Sequence, residues 1–240
     1  MKQAMIFAAG LGTRLRPLTD TMPKALVRVG GEPLLHRVIM NLKSAGFERI
    51  VVNVHHFAEQ IIDYLKTNDN FGLDIRISDE SDALLDTGGG IRKAAPLFDP
   101  SSPILIHNVD ILHNVDLATF YESAISHDAT LMVSERQTSR YLIFNDDMRL
   151  RAWINIKTGE VKPQPSQSTE GLRAAFSGLH VFSPRLFPLM SKWPDKFGII
   201  DFYLDACHKA DIRGIINTDL RLLDVGKLDS LSEAEQFVNK

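Results

Sequence analysis

Near the N-terminus the sequence reads Ala4-Met5-Ile6-Phe7-Ala8-Ala9-Gly10-Leu11-Gly12. The uninterrupted apolar run over residues 4–8 is typical of a strand that a parallel sheet buries on both faces. Glycines follow the run at once, and glycine lets the backbone turn sharply and approach a ligand closely. We therefore predict a buried first strand whose carboxyl end opens into a turn suited to a ligand.

Strand-like and helix-like segments alternate after this turn. Apolar runs typical of strands occur at 50–54, 104–106 and 130–133, and segments with helical spacing lie between them. Pro33 begins one such helical pattern, and Gly46 lies where a helix C-terminal glycine belongs. This alternation predicts right-handed β-α-β crossovers. We expect an α/β fold with a Rossmann-like mixed, mainly parallel sheet flanked by helices.

The pattern changes after residue 140. Residues 140–156 read as a hairpin or meander with its turn at 145–147, and residues 162–171 read as a polar loop. Further strands are predicted at 176–182, 212–216 and 222–225, before a closing helix at 228–238. We expect a single domain over residues 1–240 that contains a small β-rich subregion.

Composition excludes several classes of protein. With 44% hydrophobic and 24% charged residues, the chain can bury a sizeable core and is not disordered as a whole. A net charge of −3 gives no general attraction to nucleic acid or to an anionic membrane. The single cysteine, Cys207, excludes a disulfide framework and fits a reducing compartment. The apolar run at the N-terminus is too short for a signal peptide or a membrane span, so we expect a cytoplasmic protein.

The glycine turn is rich in groups that bind phosphate. Successive N–H groups around Gly10 and Gly12 can form an anion-binding nest, and Arg14 offers several further donors. Lys24, which follows Pro23, adds a second positive charge. The segment lacks the G-K-[ST] ending of a Walker loop. The two glycines alone are also compatible with an ordinary βα turn beside a solvated arginine.

The segment 8–26 resembles the signature of the sugar-1-phosphate nucleotidyltransferases. Their pattern is G-x-G-T-R-x-x-P-L-T, followed after a short gap by P-K. This sequence supplies the pattern with Gly10, Gly12, Thr13, Arg14, Pro17, Leu18, Thr19, Pro23 and Lys24. The resemblance implies that residues 1–135 bind a nucleoside triphosphate. It also implies that residues 136–240 provide the sugar-binding part and the closing helix.

The resemblance assigns Arg14 and Lys24 as catalytic cations. Asp86-Thr87-Gly88-Gly89-Gly90 resembles the base-binding loop of the family, although a flexible glycine linker is an alternative. A glycine-rich backbone can pair with a nucleobase edge through its own N–H and C=O groups. The residues implied to contact the nucleotide are Ala9, Gly10, Leu11, Gly12, Thr13, Glu80, Thr87 and Gly88.

Two aspartates resemble the magnesium ligands of the family. Asn108-Val109-Asp110 resembles an N-x-D motif at a strand end, and Asp224-Val225-Gly226 resembles a late D-[VI]-G motif. Carboxylates suit Mg²⁺, which takes hard oxygen ligands and needs only one or two of them from the protein. The resemblance therefore implies Mg²⁺ as the cofactor, with Asp110 and Asp224 as its ligands.

The sugar side is less well defined. The resemblance implies that Asn108, Gly178 and Asp201 contact the substrate, but Asp201 is equally well explained as a helix N-cap. Many members carry an E-K-P motif whose lysine touches the sugar phosphate, and Val161-Lys162-Pro163 is only a partial analogue, so no lysine is assigned. Val109 also departs from the small residue that is common between the Asn and the Asp.

The implied activity joins a nucleoside triphosphate and a sugar 1-phosphate into a nucleoside-diphosphate sugar and pyrophosphate. Short length and the triple glycine most resemble the branch that uses UTP and N-acetylmuramate 1-phosphate in cell-wall recycling. For the lactyl carboxylate of that sugar, Arg140, Lys162 and Arg173 are candidate cations. Mannose- or heptose-1-phosphate guanylyltransferases, which use GTP, are the alternative, and a non-catalytic nucleotide-sugar sensor is one of another class. We expect a monomer or small homo-oligomer.

Overall fold

The structure, a computed structural model, describes residues 1–163 and 170–239. Its strands and α-helices are joined by short turns, several of them 3₁₀. The strands are β1 (Lys2–Phe7), β2 (Arg28–Val29), β3 (Glu32–Pro33), β4 (Phe47–Val54), β5 (Asp74–Asp79), β6 (Ile104–Asn108), β7 (Ile111–His113), β8 (Ala129–Ser134), β9 (Arg140–Phe144), β10 (Leu150–Asn155), β11 (Glu160–Lys162), β12 (Leu172–Phe182), β13 (Ile212–Ile216) and β14 (Leu222–Asp224). The helices are α1 (Leu34–Ser44), α2 (Ala58–Thr67), α3 (Asp86–Ala94), α4 (Leu117–Ala124), α5 (Ile199–Ala206) and α6 (Asp229–Val238).

The main sheet is mixed, with strand order β11-β10-β9-β12-β6-β1-β4-β5. In addition, β8 pairs with β12, and β13 pairs with β8. Strands β6, β1, β4 and β5 pair in parallel, whereas β12 runs antiparallel to β6, β8 and β9. Strand β1 lies inside the parallel part, as its apolar sequence predicts. The expected mixed α/β sheet flanked by helices is confirmed.

Alternation along β1 divides the core between the two faces of the sheet. Ala4 and Ile6 pack with the buried face of α1, while Met5 packs on the other face with residues of α3 and α5. The predicted helical spacing is visible in α1, whose Leu34, Leu35, Val38, Ile39 and Leu42 are buried. Each such fully buried side chain contributes about 1.5–3 kcal/mol of hydrophobic free energy.

The later part of the chain follows the predicted meander. Strands β9 and β10 form an antiparallel hairpin, closed by a hydrogen bond from Met148 N to Asn145 O of 2.9 Å. Residues 164–169 of the predicted loop lie outside the described residues. In the part of the chain that is described, no helix has the length and apolar character needed to cross a membrane.

Candidate active site

A cavity of about 520 Å³ opens where β1, β4 and β6 end. The carboxyl ends of parallel strands meet at one edge of a sheet, so polar residues that follow them converge there. The residues implied by the sequence that line this cavity are Ala9, Gly10, Leu11, Gly12, Thr13, Arg14, Lys24, Glu80, Thr87, Asn108 and Asp110. The lining does not include Gly88, Gly178, Asp201 or Asp224. Asp201 lines a second cavity described below, and the other three lie close to residues of the first lining.

Asn53, at the end of β4, holds the start of the glycine turn. Its Oδ1 accepts hydrogen bonds from Ala8 N at 2.7 Å and Ala9 N at 3.2 Å. Its Nδ2 donates to Glu80 Oε1 at 2.7 Å. The sequence analysis missed Asn53, although a polar residue inside the apolar run 50–54 was a visible signal.

Glu80 acts on the same turn through Asn53. Its side chain is completely buried, and its second oxygen accepts a hydrogen bond from Leu85 N at 3.1 Å. Both carboxylate oxygens are therefore bound within the protein. Glu80 positions the turn and the segment before α3, and the implied contact with a nucleobase stays a prediction.

Gly12 brings the turn close to Lys24. Its φ of +63° lies in the left-handed region that favours glycine, and its carbonyl accepts a hydrogen bond from Thr19 Oγ1 at 2.8 Å. A Cβ at Gly12 would lie 2.9 Å from Thr19 Cγ2 and 3.1 Å from Lys24 Cβ. A side chain at this position would therefore push the glycine turn away from Lys24.

Lys24 and Asp110 form an ion pair in the cavity wall. Lys24 Nζ donates to Asp110 Oδ2, and the two side chains are only 8% and 22% exposed. The short turn that follows Pro23 places Lys24 there, and Asp110 is the second residue after the end of β6. Low exposure keeps water from screening the pair, so the attraction between the two charges is stronger than it would be in water.

Asp224 reaches the same edge through the small sheet of β7 and β14. Asp224 pairs with Ile111, and the next residue, Val225, donates from N to Asp110 O at 2.8 Å. A Cβ at Gly226 would lie 2.6 Å from Asp224 Oδ1 and 2.8 Å from an Arg14 guanidinium nitrogen. Asp224 and Arg14 therefore flank Gly226, which itself lines the cavity.

The carboxylates at this edge of the sheet fit a Mg²⁺ ion that takes its remaining ligands from phosphate oxygens and water. Asp110 and Asp224 are carried by adjoining backbone, and both offer hard carboxylate oxygens. Among residues 1–163 and 170–239, no group of three or more His, Cys, Asp or Glu side chains could hold a metal without other ligands. Two carboxylates beside a glycine turn that offers backbone N–H groups to an anion match the needs of Mg²⁺, which keeps water and takes phosphate oxygens.

The expectation that 86–90 form a glycine loop is wrong, because Asp86 already begins α3. Gly88 N and Gly89 N donate to Phe197 O at 2.8 and 3.2 Å. A Cβ at Gly88 would overlap the Phe197 ring. Gly88 is thus needed for close packing of α3 against the segment before α5, and it lies outside the cavity lining. Thr87 does line the cavity, and its Oγ1 accepts a hydrogen bond from Ile199 N at 2.9 Å.

A buried histidine, His107, and a half-buried one, His113, support the strand end that carries Asn108 and Asp110. His107 Nε2 lies 2.9 Å from His113 Nε2, and His107 Nδ1 lies 2.7 Å from Asn108 O. Burial lowers the pKa of His107 to about 4 and the pKa of His113 to about 3. Both rings are therefore neutral at pH 7, and their hydrogen bonds hold the end of β6 in place.

A second cavity of about 370 Å³ contains Asp201. Asp201 is the third residue of α5, which Gly198 precedes, so the N-cap interpretation is wrong. Its Oδ1 instead accepts a hydrogen bond from Lys162 Nζ at 2.9 Å, which raises the pKa of Lys162 above its usual value.

Gly178 lies in β12 between the two cavities. Its φ is +88°, and β12 shifts its register against β8 at this point. A Cβ at Gly178 would lie 2.9 Å from Asn108 Nδ2, in the lining of the first cavity. Phe176, two residues earlier in β12, lines the second. The two cavities are therefore neighbours across this irregular part of β12.

Known proteins resemble the chain in sequence and in fold. It matches the Nucleotidyl transferase family model over residues 3–240. It is 43% identical over 124 residues to the N-acetylmuramate alpha-1-phosphate uridylyltransferase of Neisseria meningitidis, an alignment that covers 52% of this chain and 53% of that protein. The protein of the same description from Caulobacter vibrioides is 46% identical over 111 residues, covering 45% of this chain and 46% of that one. The chain thus spans about half the length of these relatives.

The fold is shared with HddC from Yersinia pseudotuberculosis, whose crystal structure contains GMP-PN. The two structures superpose with a TM-score of 0.76 over 98% of this chain and 99% of that one. Their sequences are only 24% identical, so this likeness concerns the fold alone.

Proposed function

Since the chain belongs to the nucleotidyl transferase family, we propose that it transfers a nucleotidyl group from a nucleoside triphosphate to a sugar 1-phosphate. The products are a nucleoside-diphosphate sugar and pyrophosphate. One observation carries this proposal: the cavity brings the glycine turn, Arg14 and Lys24 together with Asp110, and Asp224 adjoins it across Gly226.

The reaction needs alignment of two anions more than it needs proton transfer. An oxygen of the sugar phosphate attacks the α-phosphorus of the triphosphate in line with the departing pyrophosphate. That phosphate is already ionised at neutral pH, so a general base is unnecessary. His107 and His113, which are neutral and bound to each other, agree with a site that contains no histidine base.

Arg14 and the turn 10–13 bind the β- and γ-phosphates in this proposal. The guanidinium offers a fork of N–H donors, and successive backbone N–H groups of the turn form an anion nest. Both stabilise the charge on pyrophosphate as it leaves. Asn53 and Glu80 keep the turn in place, because the Asn53 carboxamide bonds to both Ala8 N and Glu80.

Lys24 stabilises the α-phosphate when its charge increases in the transition state. Its burial makes the interaction stronger than one in water. Asp110 and Asp224 would hold Mg²⁺, which would supply positive charge to neutralise the phosphates. Asp110 also fixes the direction of the Lys24 ammonium through their hydrogen bond.

For the substrates we propose UTP and N-acetylmuramate 1-phosphate. The support comes from the two relatives described as N-acetylmuramate alpha-1-phosphate uridylyltransferases, each aligned over about half its length. With these substrates we further propose a role in the cytoplasmic recycling of cell-wall sugars, and we propose a monomer or small homo-oligomer. GTP with mannose or heptose 1-phosphate is the alternative pair.

The test is a matrix of the four nucleoside triphosphates against a panel of sugar 1-phosphates with Mg²⁺, with products resolved by mass. We expect UDP-N-acetylmuramate to form with the highest kcat/KM. A tenfold higher kcat/KM for GTP with mannose 1-phosphate, about 1.4 kcal/mol, would overturn the substrate pair and leave the reaction class standing. If no pair gave product while nucleotide sugars bound tightly, the protein would be a sensor.

A further inference from the structure

The second cavity has a positively charged and aromatic wall formed by the hairpin strands. Across β9, β10 and β11 the residues Leu142, Trp153 and Lys162 stand in one row, and all three line the cavity. Arg140 lies two residues before Leu142 and therefore shares its face, because side chains alternate along a strand. Trp153 supplies an apolar surface against which a sugar ring can lie.

Arg173, another candidate cation of the sequence analysis, faces away from this wall. It is next to Ala174, which pairs with Leu142. Neighbouring residues of a strand point to opposite faces, so Arg173 leaves the sheet on the other side. It does not line the cavity.

Most charges in the cavity already have partners. Lys162 Nζ lies 2.9 Å from Asp201 Oδ1 and 3.8 Å from a Glu160 oxygen, and it sits over the Trp153 ring at 5.3 Å. Arg136 donates to the backbone carbonyl of Phe176 at 2.9 Å.

Arg140 differs from these two cations. Its backbone pairs with Asn155 of β10 and donates from N to Thr138 Oγ1 at 3.4 Å, whereas its guanidinium makes no hydrogen bond or ion pair with any residue within 1–163 and 170–239. Its charge acts on Lys162, where it works against the elevated pKa that Asp201 produces. The cavity therefore carries a positive charge that an anionic ligand can neutralise.

A guanidinium without partners, in a cavity of this size, suits a carboxylate. The planar fork of arginine matches the two oxygens of a carboxylate in a bidentate contact. The cavity adjoins the proposed nucleotide site at two places. Gly178, two residues after Phe176 in β12, packs so closely on Asn108 that a Cβ there would lie 2.9 Å from Asn108 Nδ2. Thr87 accepts a hydrogen bond from Ile199 N at the start of α5, whose Ile200 and Asp201 line the second cavity.

We propose that Arg140 binds a carboxylate on the sugar part of the sugar 1-phosphate and selects carboxylated sugars over neutral ones. This inference rests on the proposed function, because it requires that the sugar 1-phosphate extends from the first cavity into the second. For N-acetylmuramate 1-phosphate the group bound is the lactyl carboxylate. Arg140 is then a determinant of specificity and takes no part in the transfer itself.

The test compares two substrates that differ by the lactyl ether, N-acetylmuramate 1-phosphate and N-acetylglucosamine 1-phosphate. The quantity is the ratio of their kcat/KM values with UTP and Mg²⁺, for wild type, Arg140→Gln, Arg140→Lys and the control Arg173→Gln. We expect Arg140→Gln to reduce the ratio by between about tenfold and about a hundredfold, the range for a hydrogen bond to a charged group. Arg140→Lys keeps part of the preference, and Arg173→Gln keeps all of it.

The outcomes separate the two proposals. A ratio for Arg140→Gln within threefold of wild type, or an equal loss in Arg173→Gln, overturns the role of Arg140. A wild-type enzyme that prefers the neutral sugar overturns carboxylate selection and leaves nucleotidyl transfer intact. A wild-type protein that releases pyrophosphate with no sugar 1-phosphate overturns the proposed function itself. Thermal unfolding of each variant verifies that the exposed position tolerates the change.

Discussion

Lys24 donates a hydrogen bond to Asp110 across the end of β6, and together they form one charged wall of the first cavity. Lys24→Ala should lower kcat by about 10²–10³-fold, the range for loss of one donor that stabilises transition-state charge. The Kd for UTP should change less, since the charge on the α-phosphate is greatest in the transition state. Steady-state kinetics and titration calorimetry measure the two effects. An increase in KM alone, with kcat unchanged, would contradict the assigned role.

Asp110→Asn and Asp224→Asn should each lower kcat about 100-fold or more at saturating Mg²⁺, because each change removes one carboxylate charge at nearly constant size. Asp219→Asn is the matched control, since this exposed aspartate lies near β14 but outside the cavity lining. Circular dichroism should show all three variants folded. Near wild-type turnover in either of the first two variants would remove that residue from the metal site.

Arg14→Lys should lower activity even though it keeps the positive charge. The Arg14 guanidinium lies beside Gly226, where a fork of donors can reach several phosphate oxygens. Lysine offers a point charge on a flexible stem and cannot reproduce the fork. We expect a larger loss of kcat/KM for Arg14→Lys than for the exposed Arg16→Lys. Equal, wild-type values in both would show that the fork has no role.

Gly88→Ala should destabilise the fold by about 1–3 kcal/mol, the usual cost of overpacking a closely packed site. The reason is that its Cβ would overlap the Phe197 ring. Phe197→Leu introduced with Gly88→Ala should recover part of this loss, because the two positions touch and their effects couple. Urea unfolding of the two single variants and the double variant gives the coupling free energy. Strictly additive effects would mean that a Cβ at position 88 does not clash with the Phe197 ring.

Lowering the pH should decrease the free energy of unfolding, because His107, His113 and His180 are neutral in the folded protein. Burial lowers the pKa of His180 to about 3, and both of its ring nitrogens lack hydrogen-bond partners in the part of the chain that the structure describes. In the unfolded chain histidine has a pKa of about 6.5, so between that pH and the folded pKa the unfolded state binds more protons. The free energy of unfolding therefore falls as the pH decreases below about 6.5.

His180→Leu tests this pH dependence. Near pH 5 it should reduce the slope of unfolding free energy against pH by about one proton, or about 1.4 kcal/mol per pH unit. The exposed His56→Gln serves as the control. Urea unfolding at closely spaced pH values around pH 5 gives the slopes. Identical slopes for wild type and His180→Leu would show that His180 does not remain neutral in the folded state.

Local patterns were sufficient to predict much of the fold. The apolar run of β1, the spacing of Leu34, Val38 and Leu42 in α1, and the turn of the β9–β10 hairpin all depend on neighbours in sequence. Pairings between distant strands depend on tertiary packing. The β7–β14 pair, which brings Asp224 beside Asp110, was not predicted; only the resemblance to a family implied that the two aspartates act at one site.

In the candidate site too, the sequence predicts residues within one short motif but not contacts between distant segments. The sequence identified the glycine turn and Lys24, because a motif specifies them within a short segment. It missed Asn53, whose importance comes from hydrogen bonds to Ala8 and Glu80 in other segments. It assigned Gly88 to a ligand, whereas the small size of Gly88 serves the contact with Phe197. A glycine needed for packing and one needed for a ligand look alike in sequence.

The central claim is that this cavity joins a sugar 1-phosphate to a nucleotide. The most direct measurement is the amount of pyrophosphate and of UDP-sugar formed from UTP and N-acetylmuramate 1-phosphate with Mg²⁺, by wild type and by Asp110→Asn. We expect equal amounts of the two products from wild type and a rate at least 100-fold lower from Asp110→Asn. Pyrophosphate formed without a nucleotide sugar, or equal rates from the two proteins, would contradict it.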